Sequence, residues 1–168
     1  FYQVLGASQL ALVSEVGFDW IGGLPDTDER RYGRSPMFGE GEFPPIEILG
    51  NTATCESFNT PLGPADPNFN ADNCTDDGYL TDFSWGYRIR AVLDYSNAIG
   101  GWNLHPNIAW SHDVEGYAPA PNFNEGSKAI SLGLDADYLA RYEAGISYTN
   151  FFDGDYNEAR DRDFVSIN

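Results

Sequence analysis

The stretch FSWGYRIRAVLDYS, residues 83–96, decides the fold because its side chains alternate between two characters. Its odd positions are all apolar or aromatic, whereas its even positions are small, polar or charged with the exception of Val92. Successive side chains of a β-strand point to opposite faces of the sheet, so a period of two indicates a strand with two unlike faces. The predicted strand is much longer than the five or six residues that are usual in globular proteins.

The same alternation recurs along the rest of the chain. It extends over residues 10–20, 102–111, 130–138 and 142–149, and one further segment starts near residue 163. A proline at position 106 is out of place in this pattern, because proline lacks the N–H that a strand donates. Several alternating segments joined by turns predict an all-β protein, an antiparallel meander of about six long strands.

One face of the predicted sheet is apolar, and its aromatic residues lie at the ends of the strands. Aliphatic side chains such as Leu12, Ile89 and Leu132 occupy the middle of the same face. Transmembrane β-strands have this order, because aromatic rings favour the two membrane interfaces and aliphatic chains favour hydrocarbon. The residues of this predicted aromatic girdle are Phe18, Trp20, Phe83, Trp85, Tyr95, Trp102, Trp110, Tyr138, Tyr142 and Tyr148.

The opposite face of the predicted sheet is polar, and in a membrane barrel such a face lines the lumen. The predicted lumen-lining residues are Glu15, Asp19, Arg88, Arg90, Asp94, His105, Asp135, Asp137 and Glu143.

Two interpretations of this polar face stay open. Across neighbouring strands, the two arginines of residues 83–96 can face Glu15, and Asp94 can face Asn103 or His105. Such pairs can form an ion-pair lattice that neutralises the wall and fixes the strand register. The same charges can instead form a polar constriction that selects a solute.

The connections between the predicted strands alternate in length. Those over residues 21–82, 113–128 and 153–162 are long, whereas those over 97–101 and 139–141 are short. In an antiparallel meander, odd and even connections lie at opposite ends of the sheet, so the long ones gather at one end. Outer-membrane barrels have this asymmetry, with short periplasmic turns and longer extracellular loops.

Composition excludes several classes of function. The 168 residues carry a formal net charge of −17, with 26 acidic against 9 basic residues, so nucleic acid is not an expected partner. No apolar run approaches the roughly 20 residues of a membrane-spanning helix. The opening residues Phe1–Leu5 show neither a basic start nor a cleavage site, and we expect the chain to be a mature portion or a fragment.

Cys55 and Cys74 are the two cysteines, and 18 residues separate them. Two thiolates without further ligands leave a zinc site incomplete, so we predict a disulfide and an oxidising compartment. The disulfide would pin residues 36–78, a segment rich in proline, asparagine and glycine that is long enough to have a substructure of its own. No metal site is expected, because Asp153–Asn157 opens like a calcium loop but lacks the later glycine and glutamate.

Ser111, His112 and Asp113 are adjacent and do not predict a catalytic triad. In a strand their side chains point alternately to opposite faces, so they cannot converge on one substrate atom. No catalytic residue and no cofactor are predicted, and a histidine paired with a distant serine is the remaining enzymatic interpretation.

Several motifs, mostly within residues 83–166, carry a family resemblance. They are Ser84-Trp85-Gly86-Tyr87-Arg88, Trp110-Ser111-His112-Asp113-Val114, Gly116-Tyr117-Ala118-Pro119, Asn122-Phe123, Glu125-Gly126 and Asp161-Arg162-Asp163-Phe164-Val165. Leu24-Pro25 and the cysteines of the long connection also fit. With these motifs the chain resembles the C-terminal half of the domain of unknown function 1302 family, predicted outer-membrane proteins of Gram-negative bacteria.

The resemblance implies a β-barrel channel in the outer membrane, with lipid around it and its long loops outside the cell. The family's gene neighbourhoods imply envelope proteins or transporter components as further partners. Family members continue beyond the position of Asn168, and six strands are too few to close a barrel. The resemblance therefore implies that residues 1–168 are the C-terminal portion of one barrel domain, with a long external loop at about 21–82.

The expected function is passive passage of small hydrophobic or amphipathic organic solutes, a solute class that rests on the gene neighbourhoods. Three alternatives remain: a surface-interaction barrel that uses its large external loop, an outer-membrane hydrolase, and a soluble antiparallel sandwich.

Overall fold

The computed structural model describes residues 5–39, 41–59, 65–67, 69–119 and 122–168. The elements are β1 (Gln9–Trp20), β2 (Ile46–Ile48), β3 (Asn51–Ala53), α1 (Cys55–Asn59), β4 (Phe83–Ile99), β5 (Trp102–Glu115), β6 (Lys128–Tyr138), β7 (Tyr142–Phe152) and β8 (Phe164–Ile167).

Six of the strands form one antiparallel sheet in the order β1-β4-β5-β6-β7-β8. This confirms the predicted all-β meander of about six strands. The remaining two strands, β2 and β3, form a small hairpin within the first connection. Among the described residues, no helix is long and apolar enough to cross a membrane.

Several strands of the sheet are longer than predicted: β4 extends beyond residue 96 to Ile99, and β6 begins at Lys128 rather than at residue 130. β5 extends to Glu115, because its last residues still pair with β4 opposite Trp85 and Gly86. β7 extends to Phe152, paired with Lys128 of β6. The connection predicted at 113–128 therefore contracts to 116–127.

The pairing of β4 with β5 is interrupted around Pro106. Register partners are present at Val92 and Asn107 and again at Tyr95 and Leu104, but not between them. Proline has no N–H to donate at this point, which accounts for the gap in the ladder.

The apolar face of the sheet is open. Leu12 is 65% exposed, Leu132 52% and Ile146 51%, and no described element of the chain packs on this face. The buried apolar side chains lie mostly in the connections instead, among them Cys55, Tyr79, Ala118 and Tyr156. The sheet therefore contributes almost no core of its own.

The described parts of the three long connections meet at one end of the sheet, here called the loop end, and together form what we call the loop cluster (the described residues of 21–82, 116–127 and 153–163). Tyr156 is at its centre, with its hydroxyl 2.6 Å from that of Thr75. The Arg34 guanidinium lies over the Tyr156 ring at 4.7 Å and over the Tyr79 ring at 5.3 Å. Phe38 packs against the Tyr156 ring in an edge-to-face arrangement, at a centroid distance of 5.4 Å.

Cys55 and Cys74 form the predicted disulfide, which ties α1 to the segment before β4. Bridging 18 intervening residues contributes about 3 kcal/mol in the loop-entropy model. We expect reduction to accelerate proteolysis within residues 21–82 of the folded protein while the sheet stays protected. A double Cys55→Ser, Cys74→Ser variant serves as the control, since it should be cut rapidly with or without reductant. Equal cutting rates of the oxidised and reduced wild type would contradict this prediction.

Candidate functional site

The nine predicted lumen-lining residues share one face of the sheet. Register pairs place Glu15 opposite Arg88, Asp135 opposite His105, and Asp137 opposite Glu143. Asp19, Arg90 and Asp94 have the same parity on their strands, so their side chains leave the sheet on the same side. We call this side the polar face.

His105 bridges two carboxylates on the polar face. Its Nδ1 lies 2.7 Å from Oδ1 of Asp94, and its Nε2 lies 2.9 Å from Oδ2 of Asp137. Asn103 donates to the same Asp137 carboxylate at 3.1 Å. We call these residues the histidine clamp. Because it joins β4, β5 and β6 beside Pro106, the clamp holds the strands together where the backbone ladder is interrupted.

Arg88 forms a different ion pair from the predicted one. Register places it opposite Glu15, but its Nη1 lies 2.9 Å from Oδ1 of Asp113. Asp113 is only 9% exposed and also accepts the backbone N–H of Asn124 at 3.1 Å. A buried carboxylate such as that of Asp113 needs a charged partner more than an exposed carboxylate such as that of Glu15 does. This explains why Arg88 pairs with Asp113. Within the described part of the chain, Glu15 has no ion-pair partner.

Phe123 lies on the polar face, where the sequence pattern did not place it. Gly17 of β1 and Gly86 of β4 are register partners. A Cβ atom added at Gly17 would be 2.9 Å from the Phe123 ring, and one at Gly86 would be 3.0 Å from it. We call the two glycines the glycine notch. Two facing glycines on one side of a sheet signal a close approach, and parity alone could have identified them.

A second pair of aromatic residues, Phe151 and Phe164, also lies on the polar face. Their ring centroids are 6.2 Å apart, and register places Phe151 opposite Ala129. The predicted strand stopped at residue 149, so the alternation was not followed far enough to include Phe151.

A cavity of about 410 Å³ lies between the polar face and the loop cluster. Its lining includes Arg88, Asp113, Tyr117, Phe123, Phe151 and Tyr156. A shallower groove of about 280 Å³ continues along the polar face toward Arg90 and Ala109. Burial in the loop cluster raises the pKa of Tyr117, so its hydroxyl stays protonated.

The girdle residues form one group at the loop end and one at the opposite end. At the loop end Phe18 stacks with Phe83 and Trp85, each at a centroid distance of 6.3 Å. At the opposite end the Trp102 and Tyr138 rings are 5.3 Å apart. Trp20 belongs to the first group, and Tyr95 and Tyr142 belong to the second.

The other two girdle residues, Tyr148 and Trp110, lie away from the ends of their strands and opposite aliphatic residues. Tyr148 lies opposite Leu132 and Trp110 opposite Ile130. The hydroxyl of Tyr148 nevertheless reaches toward the loop end, where it donates to Asp163 at 2.7 Å.

The two histidines are not arranged with a serine nucleophile. His112 lies on the apolar face with its ring against Tyr87 at 5.5 Å, whereas Ser111 and Asp113 lie on the polar face. Both ring nitrogens of His105 are bonded to carboxylates. In the part of the chain that is described, no group of three or more His, Cys, Asp or Glu side chains is arranged to hold a metal ion.

The acidic segment after β7 is only partly solvated. Asp153 is exposed and accepts a hydrogen bond from the Lys128 ammonium at 2.8 Å, which lowers the pKa of this carboxyl. Tyr156, three residues later, is 7% exposed and packs against Tyr117 as well as Phe38. The segment therefore anchors the loop cluster.

The family model described as protein of unknown function (DUF1302) matches residues 2–168. No curated protein and no solved structure matches the chain. The matched range includes all six strands of the sheet and the loop cluster, and it confirms the resemblance carried by the motifs. The chain therefore belongs to the DUF1302 family.

Proposed function

We propose that this chain forms part of a transmembrane β-barrel in a Gram-negative outer membrane. The barrel acts as a passive channel for small hydrophobic or amphipathic organic solutes and needs no cofactor. The observation that carries the proposal is the open apolar face of the sheet, opposite a face lined with charged and polar side chains.

Lipid is the medium that suits the apolar face. Contiguous exposed apolar patches are rare on soluble monomers, and here such a patch extends over the whole sheet, with Leu12, Leu132 and Ile146 each more than half exposed. Acyl chains would cover it without any second layer of protein. The charged groups of the histidine clamp would meanwhile face water.

The spacing of the aromatic groups matches the thickness of a membrane. Trp85 and Tyr95 lie ten residues apart on the apolar face of β4, which corresponds to about 33 Å along a strand. A strand tilted by about 40° covers roughly 25 Å of membrane thickness over that length, the height of the apolar band of outer-membrane barrels.

The solute class is supported by aromatic side chains on the polar face. A channel for inorganic ions alone gains nothing from Phe123 and Phe151 beside its pathway, whereas an apolar ring or chain can pack against them. Polar groups around these rings suit the hydrophilic end of an amphipathic molecule.

The proposal is tested with the full-length protein that contains this chain, reconstituted in liposomes. Entry of phenyl β-glucoside, an uncharged amphipathic solute, is expected to rise with the amount of inserted protein and to need no energy source. Protein-free liposomes and liposomes with heat-denatured protein give the background. Inserted, folded protein that leaves entry at background would contradict the channel function.

A surface-interaction function is the second candidate, and one observation favours it. The β2–β3 hairpin exposes apolar side chains in the first connection: Leu49 is 98% exposed, Ile46 45% and Ile48 42%. Folded protein that inserts into liposomes but carries no solute would favour this alternative.

A further inference from the structure

We propose that Phe123 is a specificity-determining residue: its ring forms an apolar constriction over the polar face and favours uncharged solutes with an apolar ring or chain. The inference rests on the proposed channel function and adds the residue and the contact that select the solute.

The Phe123 ring lies directly on the backbone of the sheet. Gly17 and Gly86 face each other across β1 and β4, and a Cβ atom on either would come within 3.0 Å of the ring. Real Cβ atoms do not come closer than this, so any larger residue at Gly17 must displace the ring. The glycine notch therefore leaves room for the Phe123 ring, and at Gly86 also for the His112 carbonyl oxygen, which would be 2.7 Å from a Cβ atom.

Hydrogen bonds on both sides of Phe123 hold it over the polar face. The Asn122 amide donates to Asp19 of β1 at 3.1 Å, and the Asn124 backbone N–H donates to Asp113 of β5 at 3.1 Å. The Asn124 side chain donates to the carbonyl of Tyr156 in the loop cluster. The ring is thus fixed above the sheet from two strands and one neighbouring connection.

The two cations that line the cavity beside the ring are both paired with carboxylates. Arg88, whose guanidinium carbon is 6.0 Å from the Phe123 ring centroid, is paired with Asp113 at 2.9 Å. Lys128, also at the cavity wall, is paired with Asp153 at 2.8 Å. An anionic solute would lose hydration in this cavity without meeting an unpaired cation, whereas an uncharged one would lose little.

The space beside the ring is large enough for a small organic molecule. The cavity of about 410 Å³ lies within the range of small-molecule sites. Phe123 and Phe151 both line it, so an apolar ring that enters can stack on aromatic surface.

The test compares three glycosides in liposomes that contain the full-length protein: methyl β-glucoside, phenyl β-glucoside and phenyl β-glucuronide. For the wild type we expect the rate of entry of phenyl β-glucoside, relative to that of methyl β-glucoside, to be higher than the difference in size alone predicts. Phenyl β-glucuronide should enter more slowly than phenyl β-glucoside. Phe123→Ala is expected to lower the preference for phenyl over methyl β-glucoside by about fivefold, the contribution of one aromatic contact.

Two glycine variants and a second phenylalanine supply the controls. Gly17→Ala, which displaces the ring, should shift the preference in the same direction, whereas Gly22→Ala should not, because nothing lies within 4 Å of a Cβ atom there. Phe18→Ala removes a phenylalanine from the apolar face, which does not line the cavity, and should keep the preference. If Phe123→Ala fails to fold, Phe123→Leu replaces it, and a smaller loss of preference is then expected.

The outcomes separate the two proposals. A wild type that carries none of the three glycosides contradicts the channel function, and the inference with it. A conducting wild type whose preference is unchanged by Phe123→Ala and Gly17→Ala contradicts the inference alone. A conducting wild type that favours the glucuronide contradicts the selection of uncharged solutes.

Discussion

Leu12→Arg is expected to lower the free energy of unfolding in lipid by about 2–4 kcal/mol, the cost of a cation at the lipid-facing middle of a transmembrane strand. Leu12 lies on the apolar face of β1, opposite Ala91 at the middle of β4, and is 65% exposed. In water such an exposed leucine would tolerate arginine with little effect, so the size of the loss reports the medium. Urea titration of the protein in lipid vesicles measures it.

Val13→Arg is the matched control for this prediction. Val13 is the next residue in β1, is 66% exposed, and points to the polar face. Its register partner is Arg90, so the new arginine meets a like charge, which costs about 1 kcal/mol or less. Equal losses for the two variants would contradict the assignment of the apolar face to lipid.

Tyr156→Ala is expected to open the loop cluster. The ring is 7% exposed and is covered by Arg34, Phe38 and Tyr117. Removing a buried aromatic side chain costs about 3–5 kcal/mol, because its contacts are lost and a cavity remains. We expect hydrogen exchange and proteolysis within residues 21–82 to accelerate strongly, with the strands of the sheet unaffected.

Two variants calibrate the Tyr156 result. Tyr156→Phe keeps the ring and loses only the hydroxyl contact with Thr75, so a loss of about 1 kcal/mol is expected. Tyr32→Ala truncates a tyrosine of the same cluster that is 45% exposed and should change little. A Tyr156→Ala protein as protected as the wild type would show that the three connections do not depend on this contact.

Strand order and the two faces could be predicted because alternation is a local property of the sequence. Each residue of 83–96 shows its face by its parity, and the lengths of the connections show which ends of the strands lie together. The contact of Asp94 with His105 and the position of Arg88 opposite Glu15 follow from the same counting.

The contacts made by the connections could not be predicted, because loops have no period from which a direction can be read. Phe123 and Tyr156 are ordinary loop aromatics in the sequence, and their positions depend on hydrogen bonds between segments far apart in the chain. Arg88 faces Glu15 as predicted, but its ion-pair partner is Asp113: register shows which residues are opposite, and the burial of Asp113 decides which of them binds.

Because the backbone pairing is interrupted at Pro106, side chains contribute to holding β4 and β5 together. Where the backbone hydrogen bonds between β4 and β5 are missing, the His105 imidazole and the carboxylates of Asp94 and Asp137 connect the strands, all on the same side of the sheet. In the proposed barrel this side would face the aqueous interior, so the stability of the β4–β5 pairing would depend on the water and ions there, whereas lipid would contact only the apolar side. The pairing of β4 with β5 would then be sensitive to the composition of the solution inside the proposed barrel.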